Sequence, residues 1–346
     1  MKRIGIVGHF GGDKVFLDGQ TVKTKNVYRA LCESFSVDDI YKLDTYGYKR
    51  NLFPFVFRVF KLIASCKNVV MLPDENGVKV FIPLYVTINF LLKRKLHYIV
   101  VGGWLPNFLK KRKTLTKLAK RLTGVYVETS SMKTDLEEMG FNNVYLLPNF
   151  KYIDAVSDTE LEYDTTLPHR LCIFSRIMEQ KGVEDAISAI NEINDERGEV
   201  VYSLDLYGPV DDGYKERFDE LRAGFPEHIR YMGCVDSSKS VETVKKYFAL
   251  LFPTRFYTEG VPGTLIDACA AGVPVITSLW VNYKDVFIEG VTGWGYEFGD
   301  TYGFKSLLVK AADNSDDFLK MKTSALEAFK KYSPEKSIEV LIQRIF

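Results

Sequence analysis

The sequence predicts an α/β protein made of two doubly wound, Rossmann-like domains, each a parallel sheet covered by helices. Three observations predict it. Short apolar runs of strand length alternate with amphipathic stretches of helical period almost throughout, which is the pattern of repeated β-α-β units. The series occurs twice, with a break near residue 150, and a chain of 346 residues has the length of about two domains. The charge changes sign at the same break: residues 1–150 hold 24 Lys and Arg against 12 Asp and Glu, and residues 151–346 hold 22 against 33.

Taken in order, strands are expected at residues 3–7, 68–72, 97–101, 125–128 and 143–147, with helical period over 26–35 and 116–122. Residues 151–169 have no clear period, are acidic and include Pro168, as a linker does. Strands are expected again at 170–174, 202–207, 228–232, 249–252 and 273–277, with helices over 182–193 and 237–249. Gly272 and Pro274 mark a helix stop and a strand entry. Ser333 followed by Pro334 restarts a helix, as an N-cap with proline at the first helical position. The domains are therefore 1–150 and 151–330, followed by a C-terminal helix at 331–346 that is open to crossing back to the first domain.

Composition narrows the class. Hydrophobic residues make up 46% and charged residues 26%, as expected for a globular protein with a sizeable core. The first residues have too short an apolar stretch for a secretion signal. The most apolar run, residues 80–92, is too short to span a bilayer. Five scattered cysteines with no C-x-x-C spacing suggest neither a zinc site nor a disulfide framework, and a reducing cytoplasm is the expected setting.

In doubly wound sheets, ligands sit beyond the carboxyl ends of strands, where helix N-termini offer unpaired N–H groups to phosphate. Three turns have the required character. GHFGG after the first strand has the spacing G-x-x-G-G and fails the dinucleotide fingerprint, which disfavours a nicotinamide enzyme. Gly19, before a helix expected near Thr21, reads equally as a phosphate approach or a plain loop. SRIMEQKG places Arg176 and Lys181 between a strand and a helix, where two cations suit a pyrophosphate; alone they would read as solvated charges. TEGVPGTLID brings Glu259, Gly260, Gly263, Thr264 and Asp267 to another strand-to-helix turn. The glycines leave the backbone open to a ligand. Asp267, expected in about the first turn, could serve only to stabilise the helix; Glu259 has no such reason to be there.

With these pieces in order the chain resembles the retaining glycosyltransferases of family 4, which have the GT-B fold: two Rossmann-like domains facing a central cleft. Glu259 and Asp267 match the family's E-x7-E motif, with aspartate in second place. SRIMEQKG matches its S/G-R-x(4)-K-G element, YLLPNF its hinge stretch and YGPV its mid-domain turn. DGQTVKT, GGWLP and VETSSM look like members that assemble polysaccharides. The resemblance implies an acceptor-binding first domain and a second domain that binds a nucleotide-diphosphate sugar. UDP is the expected nucleotide of the donor and GDP the second choice. It assigns the diphosphate to Arg176 and Lys181, the transferred sugar to Glu259 and the ribose to Asp267, with Gly19, Gly260, Gly263 and Thr264 also lining the donor. Asp267 is one carbon shorter than the usual glutamate. Many relatives have a histidine near the reacting sugar; none is assigned among His9, His97, His169 and His228. No D-x-D triplet occurs, so neither a metal nor any other cofactor is expected.

Residues 108–122, FLKKRKTLTKLAKRL, carry Lys110, Lys111, Arg112, Lys113, Lys117, Lys120 and Arg121 with no acid, and Phe108, Leu115, Leu118 and Leu122 at helical spacing. Such a helix either is simply solvated or lies on an anionic membrane, where a lipid-linked glycan acceptor would be found. Residues 52–63, aromatic with basic residues, read first as core and second as an addition to that membrane surface. No nucleic-acid-binding motif accompanies the charge. The expected protein is a cytoplasmic, membrane-peripheral enzyme that builds surface or capsular polysaccharide. The rival readings are a GT-B nucleotide-sugar epimerase and a non-catalytic partner subunit.

Overall fold

A computed structural model describes residues 2–14, 16 and 18–346, the side chain of Lys49 aside. Contacts divide the chain into two units, Met1–Tyr152 with Tyr332–Phe346, and Ile153–Lys331. Each holds a six-stranded sheet whose pairings are all parallel.

In the first unit the strands are β1 (Lys2–Gly8), β2 (Ile40–Asp44), β3 (Cys66–Leu72), β4 (Lys95–Ile99), β5 (Gly124–Val127) and β6 (Val144–Leu146), in the order β2-β1-β3-β4-β5-β6. The helices are α1 (Gly19–Ser34), α2 (Leu52–Ser65), α3 (Glu75–Leu92), α4 (Leu105–Lys110), α5 (Lys113–Ala119) and α6 (Ser130–Glu138). Successive side chains of a strand point to opposite faces, and β3 shows the consequence. Val69 and Met71 join a core cluster with α2, α3, α4 and α5. Val70 and Leu72 join a second cluster with α1 and the C-terminal helix. Both faces are therefore covered, which is why the inner strands read as continuous apolar runs.

In the second unit the strands are β7 (His169–Phe174), β8 (Tyr202–Tyr207), β9 (Ile229–Gly233), β10 (Ala249–Phe252), β11 (Val275–Leu279) and β12 (Gly293–Glu297), in the order β12-β11-β10-β7-β8-β9. The helices are α7 (Val183–Arg197), α8 (Lys215–Ala223), α9 (Ser240–Val244), α10 (Gly263–Ala270), α11 (Thr301–Asp313), α12 (Ser315–Leu319) and α13 (Met321–Phe329). The last helix, α14 (Pro334–Ile345), belongs to the first unit. It starts on Ser333, whose hydroxyl accepts from the Lys336 N–H at 3.3 Å, with Pro334 at the first helical position.

Three sequence expectations change. β2 and β12 were not anticipated; both are edge strands, β2 broken by exposed Lys42 and β12 by Gly293 and Gly295. Residues 108–122 are not one helix, because α4 ends and α5 begins around Lys111 and Arg112. The helix expected over 237–249 is only α9, after a short 3-10 turn at Ser237–Lys239. Among the described residues no helix is long and apolar enough to cross a membrane.

Candidate active site

The strand order of the second sheet reverses between β10 and β7. At such a point the loops leaving the two carboxyl ends diverge and open a crevice. The loop at 175–182, after β7, carries Arg176 and Lys181, and the loop at 253–262, after β10, carries Glu259.

Several contacts join these loops. The Lys181 ammonium pairs with Glu259 Oε1, and each side chain is 16% exposed. The rings of Phe252 and Phe256 lie 5.3 and 5.1 Å from Lys181 Nζ, close enough to hold the cation over their faces. The Thr254 hydroxyl donates to Glu259 Oε1 at 3.1 Å, and the Asn282 side-chain amide donates to the Glu259 carbonyl at 2.5 Å. The Arg255 N–H donates to the Gln180 carbonyl at 2.8 Å, while its guanidinium forks onto Asp185 at 2.9 and 2.5 Å. Gly182 allows the close approach: its φ is +69°, and a Cβ there would lie 1.9 Å from the Pro253 carbonyl oxygen.

Arg176 is more open. Its guanidinium stands 3.3 Å from the Asp211 carboxylate and is 44% exposed. Such a pair contributes little and exchanges readily. The loop carrying Arg176 is itself pinned by Gly208, where a Cβ would meet the Ser175 carbonyl oxygen at 1.9 Å.

On the far side of the GVPG turn, α10 begins at Gly263. Gly260 and Gly263 do not adopt the left-handed conformation, so the feature they supply is the missing side chain. Thr264 is buried, and its hydroxyl has no hydrogen-bond partner among the described residues. Asp267 is the fifth residue of α10, beyond the first turn, so stabilisation of the helix end does not explain it. It is 1% exposed, and its Oδ1 accepts from the Ser240 hydroxyl of α9 at 2.8 Å.

Gly19 lies in the first unit and is the first residue of α1, two residues earlier than the start expected at Thr21. A Cβ there would meet nothing within 4 Å. The Asp18 carboxylate already caps this helix end, accepting from the Thr21 N–H at 3.0 Å and the Thr21 hydroxyl at 2.8 Å. His9 Nδ1 lies 2.7 Å from the same hydroxyl. The other histidines are structural. His97 is buried between Tyr126 and Asn68, and burial pushes its pKa down to about 4. His169 stacks on Phe248, and His228 bonds Asn191.

The basic stretch divides by use. Lys110, Lys111, Lys113, Lys117 and Arg121 are exposed. Arg112 lies over the Phe108 ring and donates to the Phe108 carbonyl at 2.9 Å, and Lys120 donates to the Met139 carbonyl at 2.6 Å. Phe108, Leu115 and Leu122 are buried, as their spacing predicted. A cavity of about 720 Å³ opens at the opposite, amino end of β7, lined by His169, Arg170 and Lys322 among others; it is remote from Lys181 and Glu259.

The sequence reading missed Thr254, Asn282 and Ser240. Each is a small polar residue whose partner is distant in sequence or set by a turn, and no spacing announces it.

Two parallel sheets with the site at a switch point define a class, and the comparisons agree with it. The fold is GT-B, the architecture of a large group of glycosyltransferases. Residues 168–314 match the family described as Glycosyl transferases group 1. Over 158 residues the chain is 24% identical to the amylovoran biosynthesis glycosyltransferase AmsK of Erwinia amylovora; the match covers 43% of this chain and 37% of that relative's length. Among solved structures, HepE of Anabaena in complex with UDP and glucose superposes with a TM-score of 0.74 at 13% identity, over 99% of each chain. A sucrose-phosphate synthase from Thermosynechococcus elongatus gives 0.75 at 13% identity, over 100% of this chain and 98% of the other.

Proposed function

We propose that the chain is a retaining, metal-independent glycosyltransferase. It moves a hexose-type sugar from a nucleotide-diphosphate sugar to a glycan or lipid-linked glycan, in the assembly of a surface or capsular polysaccharide. The observation that carries the proposal is the Lys181–Glu259 pair at the strand reversal, inside the region similar to Glycosyl transferases group 1. UDP is the preferred donor nucleotide, in line with the UDP complexes of HepE, and GDP is the second choice.

In this reading Lys181 and Arg176 bind the diphosphate and take up the negative charge that develops as the bond from the anomeric carbon to phosphate oxygen breaks. Stabilising a leaving group by preplaced charge is a large catalytic contribution. The acceptor hydroxyl forms its bond to the anomeric carbon on the same face, and its proton passes to the departing phosphate oxygen. No histidine is required for this step. Glu259, held by Thr254 and Asn282, orients the sugar and favours the cationic anomeric centre. Asp267 meets the ribose, and Thr264 with the two glycines lines the donor. The basic first unit faces the acceptor, and the enzyme works as a peripheral protein at the inner face of the cell membrane.

The test is sugar transfer from UDP- and GDP-sugars by wild type and Glu259→Ala. The variant should keep its melting temperature and lose on the order of a hundredfold or more in kcat. Turnover at the wild-type rate would remove Glu259 from the reaction.

A further inference from the structure

The basic stretch 110–121 accounts for only part of the charge of the first unit. Residues 45–127 contain 16 Lys and Arg and just two acids, Asp74 and Glu75, both at the start of α3. These residues form α2, α3, α4 and α5, whose buried sides share one core cluster on one face of the first sheet; α6 packs into the same cluster beside α4 and brings Asp135, Glu137 and Glu138 to the border of this group. Their outer sides therefore make one layer, and that layer is nearly free of acid.

The same layer shows aromatic side chains to solvent. On α2, Phe53 is 91% exposed, Phe57 69% and Phe60 49%. Their spacing of four and three residues aligns them on one stripe of the helix. Phe55, Val59, Leu62 and Ile63 form a separate stripe that is buried. Exposed Arg58 and Lys61 form a third. The helix thus has one face for the core, one of phenylalanines and one of cations. On neighbouring α3, Phe90 and Leu91 are also exposed. The reading of 52–63 as core, preferred over a share in the basic surface, holds for one face of α2 only.

A face with so large an excess of cations repels a second copy of itself. An anionic bilayer surface satisfies both features together: its phosphates meet the cations, and its acyl boundary takes the rings. We infer that α2 is the membrane-inserting element of this protein, with Phe53, Phe57 and Phe60 entering the interface of an anionic leaflet while Arg58, Lys61 and the cations of α4 and α5 meet headgroups. This deepens the membrane-peripheral reading proposed above and rests on it.

The test is flotation with phosphatidylglycerol–phosphatidylcholine vesicles. Wild type is compared with Phe53→Ser/Phe57→Ser/Phe60→Ser and with Lys110→Ser/Lys111→Ser/Lys113→Ser. Wild type should float, with salt weakening binding. The phenylalanine variant should lose at least about tenfold in partitioning at an unchanged melting temperature. In Phe57→Trp, emission should shift to the blue on adding vesicles and be quenched by brominated acyl chains. If wild type floats and the phenylalanine variant floats equally well, α2 is not the inserting element, while the membrane reading survives on its cations. If wild type does not float, both fall. If the three serines convert a dimer to a monomer and leave vesicle binding unchanged, the face belongs to a second copy and the inference is overturned.

Discussion

Lys181 and Glu259 bring opposite charges into a crevice that shields them from most solvent. With no ligand bound they satisfy one another, and a diphosphate would compete with Glu259 for the ammonium. Lys181→Met should therefore weaken nucleoside diphosphate binding about ten- to a hundredfold, the value of a charge-assisted hydrogen bond of roughly 1.5–3 kcal/mol. Calorimetry with UDP reads this, and an unchanged affinity would take Lys181 off the diphosphate. Asp267 needs a different design, because it is buried and bonded to Ser240. Asp267→Ala would confuse stability with binding. Ser240→Ala removes the hydroxyl that bonds Asp267 and lies 3.0 Å from the Ser237 carbonyl, and the expected outcome is a loss of about 1.5–3 kcal/mol in stability with nucleotide affinity within twofold. A large loss of affinity would instead mean that the aspartate reaches the ribose only when Ser240 holds it. That Arg176, Lys181, Glu259 and Asp267 lie at or just beyond strand-to-helix turns was legible from motif spacing. Thr254 and Asn282 were not, because their contacts with Glu259 arise from the paths of the loops after β10 and β11.

The elements that carry these residues are fixed by close backbone approach. Gly182 sits between Lys181 and α7, and any side chain there would strike the Pro253 carbonyl in a backbone conformation that already disfavours one. Gly182→Ala should cost about 3 kcal/mol and separate the two loops, weakening UDP binding together with the melting temperature. A stable variant with normal UDP affinity would show that the loops need not touch. Inner strands were easy to read, since burial on both faces leaves uninterrupted apolar runs. The edge β2 was hidden by exposed Lys42 and the edge β12 by its two glycines, Gly293 and Gly295. The break between α4 and α5 was hidden for another reason: helical spacing of the buried residues survives across it. Arg112 bonds the Phe108 carbonyl near the end of α4, where a helix favours positive charge. α2 was read by composition alone, and composition cannot say which of two apolar stripes faces the core.

For the whole molecule, the opposed charges of the two halves were visible in the sequence, but the histidine environments were not. His97 is enclosed in the first unit, and burial, with smaller repulsion from Lys95 and Arg344, lowers its pKa to about 4. His169 in the second unit is lowered as well, chiefly by burial, with Asp164 opposing. An unfolded histidine titrates near 6.5. Between these values the unfolded chain binds more protons than the folded one, so stability falls as pH falls. The contribution of His97 is fully present above about pH 6.5 and is lost as pH drops towards 4; its full size is roughly 3 kcal/mol. This window lies mostly above the range where ordinary carboxylates titrate, which separates the effect from acid unfolding of ion pairs. Urea unfolding should therefore show the first unit losing stability between pH 7 and 4.5, and His97→Gln, which cannot titrate, should lose less over the same interval even if it starts lower. Equal losses in the two proteins would mean that some other group takes up the protons, and that His97 is not what makes the first sheet sensitive to acid.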